Sequence, residues 1–540
     1  MASLFLCSEN SYPIKPVFRS LYMHTHNPWK PLVYFSLVAF GLLLGVWLKP
    51  QARNGSGVMD ELLNLAENYY VDTVNSDQLK QLAVEGILAG LDPHSVYIPN
   101  VDVETVNEPL EGSFDGIGVE FNIIDDTVMV VAPIHGGVSQ QLGILSGDRI
   151  VQVDSKNIAG IKITNDQVMK LLKGKRGTTV KVGIYRRGNK RLIPFTIKRD
   201  KIPIYSVDAG YMLNEQTGYI KISRFAATTF DEFREKLIAL NKPKNLILDL
   251  RGNPGGYLQA ATQIADELID GKKLIVYTEG RHQNRQEYFA EKTGRFESGK
   301  LVLLIDEGSA SASEILAGAV QDQDRGSIVG RRSFGKGLVQ ETVGLSDGSE
   351  LRLTVARYYT PSGRCIQKPY NGKSDAYENE VYDRIEHGEL SHPDSSLLKD
   401  KKAFKTAKGR TVYAGGGIMP DVFVGIDSGR YSDYYRELVQ QGILLQFAYT
   451  ESDRSKNIFD KSKTFEAFEE AWLATSVGLI LRLNIYAKSK GLQPAKLDEA
   501  TATGQVKAMI ARQHFGETGY SRVHNQTDPF VKKALEGLGK

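Results

Sequence analysis

Cysteine is almost missing from this chain: 540 residues carry two, Cys7 and Cys365. They fall on opposite sides of an apolar run at 31–48, so no disulfide is expected between them, and an oxidising compartment is permitted but not required. One-sided charge is missing as well. Lys and Arg total 67 against 64 Asp and Glu, a formal net charge of +3. Nucleic-acid binding usually needs a basic face, and this balance gives no support for one. Histidine is sparse, nine in all, with none between His282 and His387 and no HExxH pair. No metal site is expected from that scatter. No Walker-type phosphate loop appears, so neither ATP nor any other cofactor is implied. Internal repeats and low-complexity tracts are absent too.

What is present describes a globular protein of several domains. Apolar residues make up 41% and charged residues 24%, ordinary globular values, over a length that exceeds one core. The uncharged run 31–48, PLVYFSLVAFGLLLGVWL, lies between Lys30 and Lys49. At about 1.5 Å per residue it rises about 27 Å, so a retained transmembrane anchor is expected there, behind a cytoplasmic tail at 1–30. A cleaved signal with a long leader is the alternative. Lys15, Arg19 and Lys30 precede the run and Lys49 and Arg53 follow it. That bias places the bulk of the chain outside the cytoplasm, in the periplasm if the cell is Gram-negative.

Periodicity then divides the chain. Residues 55–105 read as helices, through MDELLNLAENYYV and DQLKQLAVEGILAGL, and stop at Leu91-Asp92-Pro93-His94-Ser95. Residues 112–200 switch to short strands such as GIGVEFNI, VMVVAPI and TVKVGIYR, with one helix at NDQVMKLLKG. Residues 206–425 alternate strands (GYIKIS, KNLILDL, KLVLLID, SIVG) with helices, which argues for an α/β domain on a mixed or parallel sheet. Inside it, 370–410 lose periodicity and gain charge, and read as a surface insertion. Residues 430–540 are helical again. Their apolar stretch SVGLILRLNIYA contains Arg482, so it is a poor membrane span; packing on the core or on a second subunit, a homodimer, is expected.

Three elements carry chemistry. Gly308-Ser309-Ala310-Ser311-Ala312-Ser313-Glu314 follows an apolar strand and opens a helix. A hydroxyl there sits at the positive helix end, and the Ala312 N–H is free to donate. Serine is also a common helix cap, so the run alone does not make a site. Lys336 stands between Gly335 and Gly337. To act as a base near neutral pH its amine must fall from about 10.4 to about 7–8, roughly 3–5 kcal/mol of desolvation. Gln340 lies four residues on, where an extended strand shares a face with the lysine, and its oxygen would hold the amine without raising its pKa. Glu314, three residues after Ser311, reads as a cap or an accessory polar contact. Asp249-Leu250-Arg251-Gly252-Asn253-Pro254-Gly255-Gly256 is a glycine-rich turn at a strand end, suited to present N–H groups to an oxyanion.

Together GSASASEILAGA, FGKGLVQ and DLRGNPGG closely resemble the carboxyl-terminal processing (tail-specific) serine proteases. LDPHS, GIGVEF, SGDRIVQVD, ARYYTPSGRCIQ and GGGIMPDV add to the resemblance in the family's order, over roughly 59–425. It implies a crotonase/ClpP-like mixed α/β core with an inserted PDZ domain. It further implies Ser311 as nucleophile, Lys336 as general base, Gln340 as the residue orienting that base, and the N–H groups of Gly256 and Ala312 as the oxyanion hole. In the PDZ block, Gly116, Ile117, Gly118 and Val119 would bind a substrate's C-terminal carboxylate, with Val119 and Phe121 lining the pocket for its last side chain. The partners implied are proteins or peptides with exposed C-termini. The sequence departs from the family pattern in the insertion at 370–410 and in everything after Asp421. A catalytically inactive PDZ scaffold and a crotonase-like acyl-transfer enzyme are the rival readings; neither needs the serine, lysine, glutamine and glycine turn together.

Overall fold

A computed structural model describes residues 29–47, 57–370, 377, 379–393, 401–426 and 431–539. The chain forms two compact units, Met1–Ala83 and Val84–Lys540. The first contains the helices Lys30–Trp47 and Val58–Tyr69. The transmembrane anchor expected at 31–48 is overturned: among the described residues no helix is long and apolar enough to cross a membrane. The run does form a helix, but it has 18 residues, begins with Lys30 and ends at Trp47. Its rise of about 27 Å falls short of a hydrocarbon core of about 30 Å. The orientation argument, which used that span, goes with it. Cys7 lies outside the described residues, and Cys365 is a free thiol.

The second unit is built on a six-stranded sheet. Its order is Val207–Met212, Thr217–Ile222, Asn245–Asp249, Lys300–Ile305, Ser327–Gly330 and Val422–Phe423. The first pair is antiparallel and the rest are parallel. Asn245–Asp249 is buried at every position, as a central strand covered on both faces must be, which is why its middle, Leu246 to Leu248, reads as a continuous apolar run. The helices Thr229–Ala239, Leu258–Leu268 and Ala312–Asp322 contribute to one core with it through Phe233, Ile264 and Leu316. A second, antiparallel sheet pairs Glu350–Tyr359 with Val96–Ile98, Leu274–Glu279 and Leu338–Gly344. The catalytic candidates sit where these two sheets meet.

The block between them is a separate β module with its own core, which includes Ile117, Val130, Ile150, Val168 and Val182. Its sheet runs Val119–Ile124, Thr127–Pro133, Arg149–Val153, Thr179–Tyr185, Ile193–Lys198, so Val119–Ile124 lies at one edge. The chain enters and leaves it through the paired strands Ser113–Gly116 and Asp200–Pro203. The C-terminal helices gather around Leu438, Phe447, Phe468, Leu483 and Val506. They also reach outward. Tyr449 packs with Met129 and Val131 of the β module, and the last helix, Pro529–Gly539, lays Phe530, Val531 and Ala534 against Val302, Leu304 and Val329 of the core sheet. Arg482, which interrupts the apolar stretch, is bonded to both oxygens of Glu451, at 3.0 and 3.1 Å. The second subunit expected for this region is not needed to explain these contacts.

The insertion is more than a surface loop. Its described part contains the helix Glu380–Glu386 and the strand Ala403–Lys405, which pairs with Thr411–Tyr413 just beyond it. Tyr377, Arg384, Glu389 and Leu390 are buried. Charged text is no guide to exposure when the charges pair.

Candidate active site

The strand Lys300–Ile305 ends at Asp306, and a turn delivers Ser311 to the start of the helix Ala312–Asp322. The three serines of the run have different fates. Ser309 Oγ donates to Leu250 O at 2.8 Å, and Ser313 Oγ donates to Asn253 O at 2.9 Å. Both are fully buried and stitch the helix start to the glycine turn. Ser311 alone lines the cavity. Its φ of +54° lies where a non-glycine residue is strained, a conformation kept only when the surroundings enforce it. The enforcing contact is Glu314, whose Oε2 accepts the Ser311 N–H at 2.8 Å.

That carboxylate does more than cap. Oε2 also accepts the Lys336 N–H at 2.8 Å, and Oε1 accepts the Gly335 N–H at 2.7 Å and the Ser333 hydroxyl at 2.5 Å. One buried side chain therefore fixes the backbone of the serine and of the lysine together. Burial pushes its carboxyl up to about 7, against the pull of those four donors. On the other side, Tyr358 Oη stands 2.7 Å from Lys336 O and 3.2 Å from Ser311 O.

Lys336 Nζ donates to Gln340 Oε1 at 3.0 Å, and Gln340 Nε2 donates in turn to His94 O. Burial lowers the lysine's pKa, helped by Arg352 and opposed by Asp92 and Glu314. Burial and the neighbouring lysine push His94 down to about 4. No hydrogen bond joins the Lys336 amine to the Ser311 hydroxyl among the described residues; in unliganded sites such bonds are often long and form with substrate.

The glycine turn closes the third side. Gly255 has φ +98°, and a Cβ on it would lie 2.7 Å from both Ser311 Cβ and Ala310 O. Only glycine permits that approach. Gly256 bridges to Phe225, but the bonds used are Phe225 N–H to Gly255 O and Tyr257 N–H to Phe225 O, each 2.8 Å. The Gly256 N–H is left out of that pairing. At the helix start, Ser313, Glu314 and Ile315 donate backward to Ala310 or Ser311, and Ala312 is the first residue, whose N–H has no intrahelical partner. Gly256, Ser311, Lys336 and Gln340 line one cavity of about 800 Å³ with Leu258, Ile315 and others. Ala312 is buried immediately behind it.

Two kinds of similarity bear on this arrangement. The family model of peptidase family S41 matches residues 216–373, that of the PDZ domain matches 116–197, and a family of unknown function (DUF8443) matches 434–516. The carboxy-terminal processing protease CtpB of Bacillus subtilis is 35% identical over 315 residues, covering 57% of this chain and 65% of CtpB. The carboxy-terminal-processing protease of Bartonella bacilliformis is 36% identical over 314 residues, covering 57% of this chain and 71% of that protein. CtpA of Bacillus subtilis is 34% identical over 324 residues, 59% and 68% respectively. This chain belongs to the carboxy-terminal processing proteases. It therefore has the mixed α/β S41 protease fold with a PDZ domain, in a family of serine-type peptidases.

In this processing protease the candidate residues fall in two places. Gly116 to Phe121 lie in the PDZ module, away from the catalytic cavity. Gly118 has φ +74°. Ile117 O is held by the Ser139 hydroxyl at 2.5 Å, and the Ile117 side chain is buried in the module's core, so only its backbone is available to a ligand. Val119 and Phe121 are half-buried against that core. Sequence reasoning missed Tyr358 and Tyr377, and took Asp92/His94 only as a turn. Asp92 does hold that turn, through the N–H groups of His94 and Ser95. For His94 and Tyr358 the signal lay in the motifs LDPHS and ARYYTPSG, each of which places one polar residue against the lysine segment; Tyr377 lies in neither.

Proposed function

We propose that this processing protease is a serine endopeptidase working through a Ser311–Lys336 dyad, on substrates whose C-terminal tail is taken by the PDZ module. The neutral Lys336 amine accepts the proton of Ser311 Oγ as that oxygen bonds to the scissile carbonyl carbon. The carbonyl oxygen becomes an oxyanion facing the N–H groups of Gly256 and Ala312. The C–N bond then breaks, and the proton held by Lys336 passes to the leaving amine. Water gives a proton to the same lysine as its oxygen bonds to the acyl carbon; the bond from that carbon to Ser311 Oγ then breaks, and the proton passes from Lys336 to Ser311 Oγ. Gln340 keeps the amine at the cavity wall without adding charge.

The observation that carries this reading is the Glu314 carboxylate, which binds the backbones of Ser311 and Lys336 at the same time. A helix cap needs only the first of these bonds. The edge position of Val119–Ile124, which pairs with one strand only, supports tail recognition, because an added strand needs an unpaired edge beside a backbone N–H cradle. The test is cleavage of an unfolded protein with an apolar C-terminus by the full chain, beside Ser311→Ala and Lys336→Ala. Both variants should lose at least 1,000-fold in kcat, as removal of members of such catalytic units does. Equal cleavage by all three proteins ends the proposal. Amidating the substrate's C-terminus should raise KM; an unchanged KM removes the PDZ from it.

A further inference from the structure

The insertion after Tyr370 reaches the lysine segment from behind, by two routes. The first is Arg384, on the helix Glu380–Glu386. Its guanidinium donates to Arg332 O at 2.7 Å and to Ser333 O at 3.4 Å, and is itself 3% exposed. It is locked in place by Glu389, at 3.1 Å, which also takes two bonds from Arg332, at 2.6 and 2.8 Å. Glu380 completes the group, at 2.9 Å from Arg332 and 3.2 Å from Lys368. Arg332 and Ser333 lead directly into Gly335 and Lys336, and Ser333 is the hydroxyl bonded to Glu314.

The second route is Tyr377, 5% exposed. Its hydroxyl lies 2.8 Å from His94 Nε2 and 3.2 Å from Gln367 Nε2. His94 gives its carbonyl to Gln340, the residue that holds the amine. Gln367 gives its Oε1 to the Gly337 N–H at 2.7 Å. The Tyr377 ring also stands edge-on to Phe334, centroids 5.8 Å apart. Both flanks of Lys336 and the partner of its amine are thus tied, at one remove, to two side chains of the insertion.

We propose that Tyr377 and Arg384 of the insertion are positioning residues for the base Lys336, so that the insertion is part of the catalytic apparatus and not a decoration of it. The inference rests on Lys336 acting as the base. It assigns the insertion a partner inside the chain: the segment 332–337. A loosened segment would let water reach the amine and would misplace it. The charged and titratable groups facing that amine are Arg352 from the strand Glu350–Tyr359, Asp92 and His94 from the turn before Val96, and Glu314 from the helix Ala312–Asp322. Arg384→Lys touches none of them; Tyr377→Phe removes the hydroxyl partner of His94 Nε2 and leaves the other three untouched.

The experiment measures kcat and KM of the full chain against pH for wild type, Tyr377→Phe and Arg384→Lys. Tyr377→Phe keeps the ring and removes the hydroxyl; Arg384→Lys keeps the charge and removes the fork that spans two carbonyls. Misplacement by about 1 Å can cost of the order of 100-fold. With most holds intact, a loss of about tenfold in kcat at neutral pH is expected for each, with KM within twofold. The acid limb of the profile should move to higher pH, and the loss should shrink in alkaline solution, where the amine is neutral without help. A variant that is merely less folded shows, once its activity is corrected for the folded fraction measured by denaturant titration at each pH, the wild-type profile, and that result overturns the proposal. So does an unchanged profile in Tyr377→Phe beside an active wild type. If wild-type cleavage does not depend on Ser311, the dyad reading falls and takes this inference with it, a result distinguishable from the other two.

Discussion

Replacing Glu314 with Gln tests the centre of the site. The carboxylate accepts four bonds, two on each oxygen. An amide oxygen can keep one pair, but the NH₂ then faces the other pair of donors. Leaving a buried donor unsatisfied costs about 1–3 kcal/mol, so two cost about 2–6 kcal/mol. If about 3 kcal/mol of this is relieved by separating Ser311 from Lys336, kcat falls about 100-fold. A second signature is the pH dependence of stability. The folded carboxyl titrates at about 7, above the ordinary value of about 4.3. The folded state thus binds the proton more tightly, and the stabilisation, complete below the unfolded value, is lost as pH rises through 7. The shift corresponds to about 3 to 4 kcal/mol over that window. Denaturant titration of wild type and Glu314→Gln at several pH values should show this slope in the first and not in the second. A variant within threefold of wild-type kcat, or one that keeps the slope, would refute the assignment of Glu314 as the common anchor.

Lys336 has the opposite sign. Its folded pKa is lowered, so below that value the buried cation destabilises the fold, and stability rises with pH toward the unfolded value of about 10.4; Lys336→Met should flatten that rise, and wild-type kcat/KM should climb along the same limb. Gly255→Ala places a Cβ 2.7 Å from Ser311 Cβ at φ +98°, and should cost 100-fold or more in kcat while titration of a C-terminal peptide onto the PDZ module stays unchanged. Where the C-terminal helices meet the PDZ module, Tyr449 is 7% exposed against Met129 and Val131, so Tyr449→Ala should cost about 3 kcal/mol and speed proteolysis of the module. The nearby Arg512–Glu120 pair is partly exposed on both sides; Arg512→Ala should cost under about 1 kcal/mol, and a larger cost than for Tyr449→Ala would reverse this ranking.

How much of this was legible in the sequence depends on the reach of each interaction. The strands of the core sheet were readable because Leu246–Leu248 and Leu301–Ile305 are covered on both faces and are apolar at every position. The helix over Lys30–Trp47 was readable too, but a rise of about 27 Å without charge reads as enough for a span when it falls short of a core of about 30 Å. Ser309 and Ser313 could not be told from Ser311 by local rules, because what removes them from the cavity are the carbonyls of Leu250 and Asn253, about 60 residues away. The insertion was misread for a related reason. Arg384, Glu389 and Glu380 look like solvated charges when taken one at a time; pairing with Arg332 and Lys368 buries the first two and leaves Glu380 partly exposed. A local pattern reports which side chains want water; it does not report which have found a better partner. In this protease the partners that matter converge on the six residues from Arg331 to Lys336, where the strand ending at Gly330 gives way to the lysine. A short segment without regular structure can hold an amine in place only if its backbone is fixed from outside. Glu314 does this from the serine's side and Arg384 from the insertion's side. The two holds meet at Ser333, whose hydroxyl binds one and whose carbonyl binds the other. Ser333→Ala should therefore lower kcat while leaving every cavity-lining side chain unchanged, and a full-activity Ser333→Ala would mean that the segment is held without the hydroxyl that joins the two.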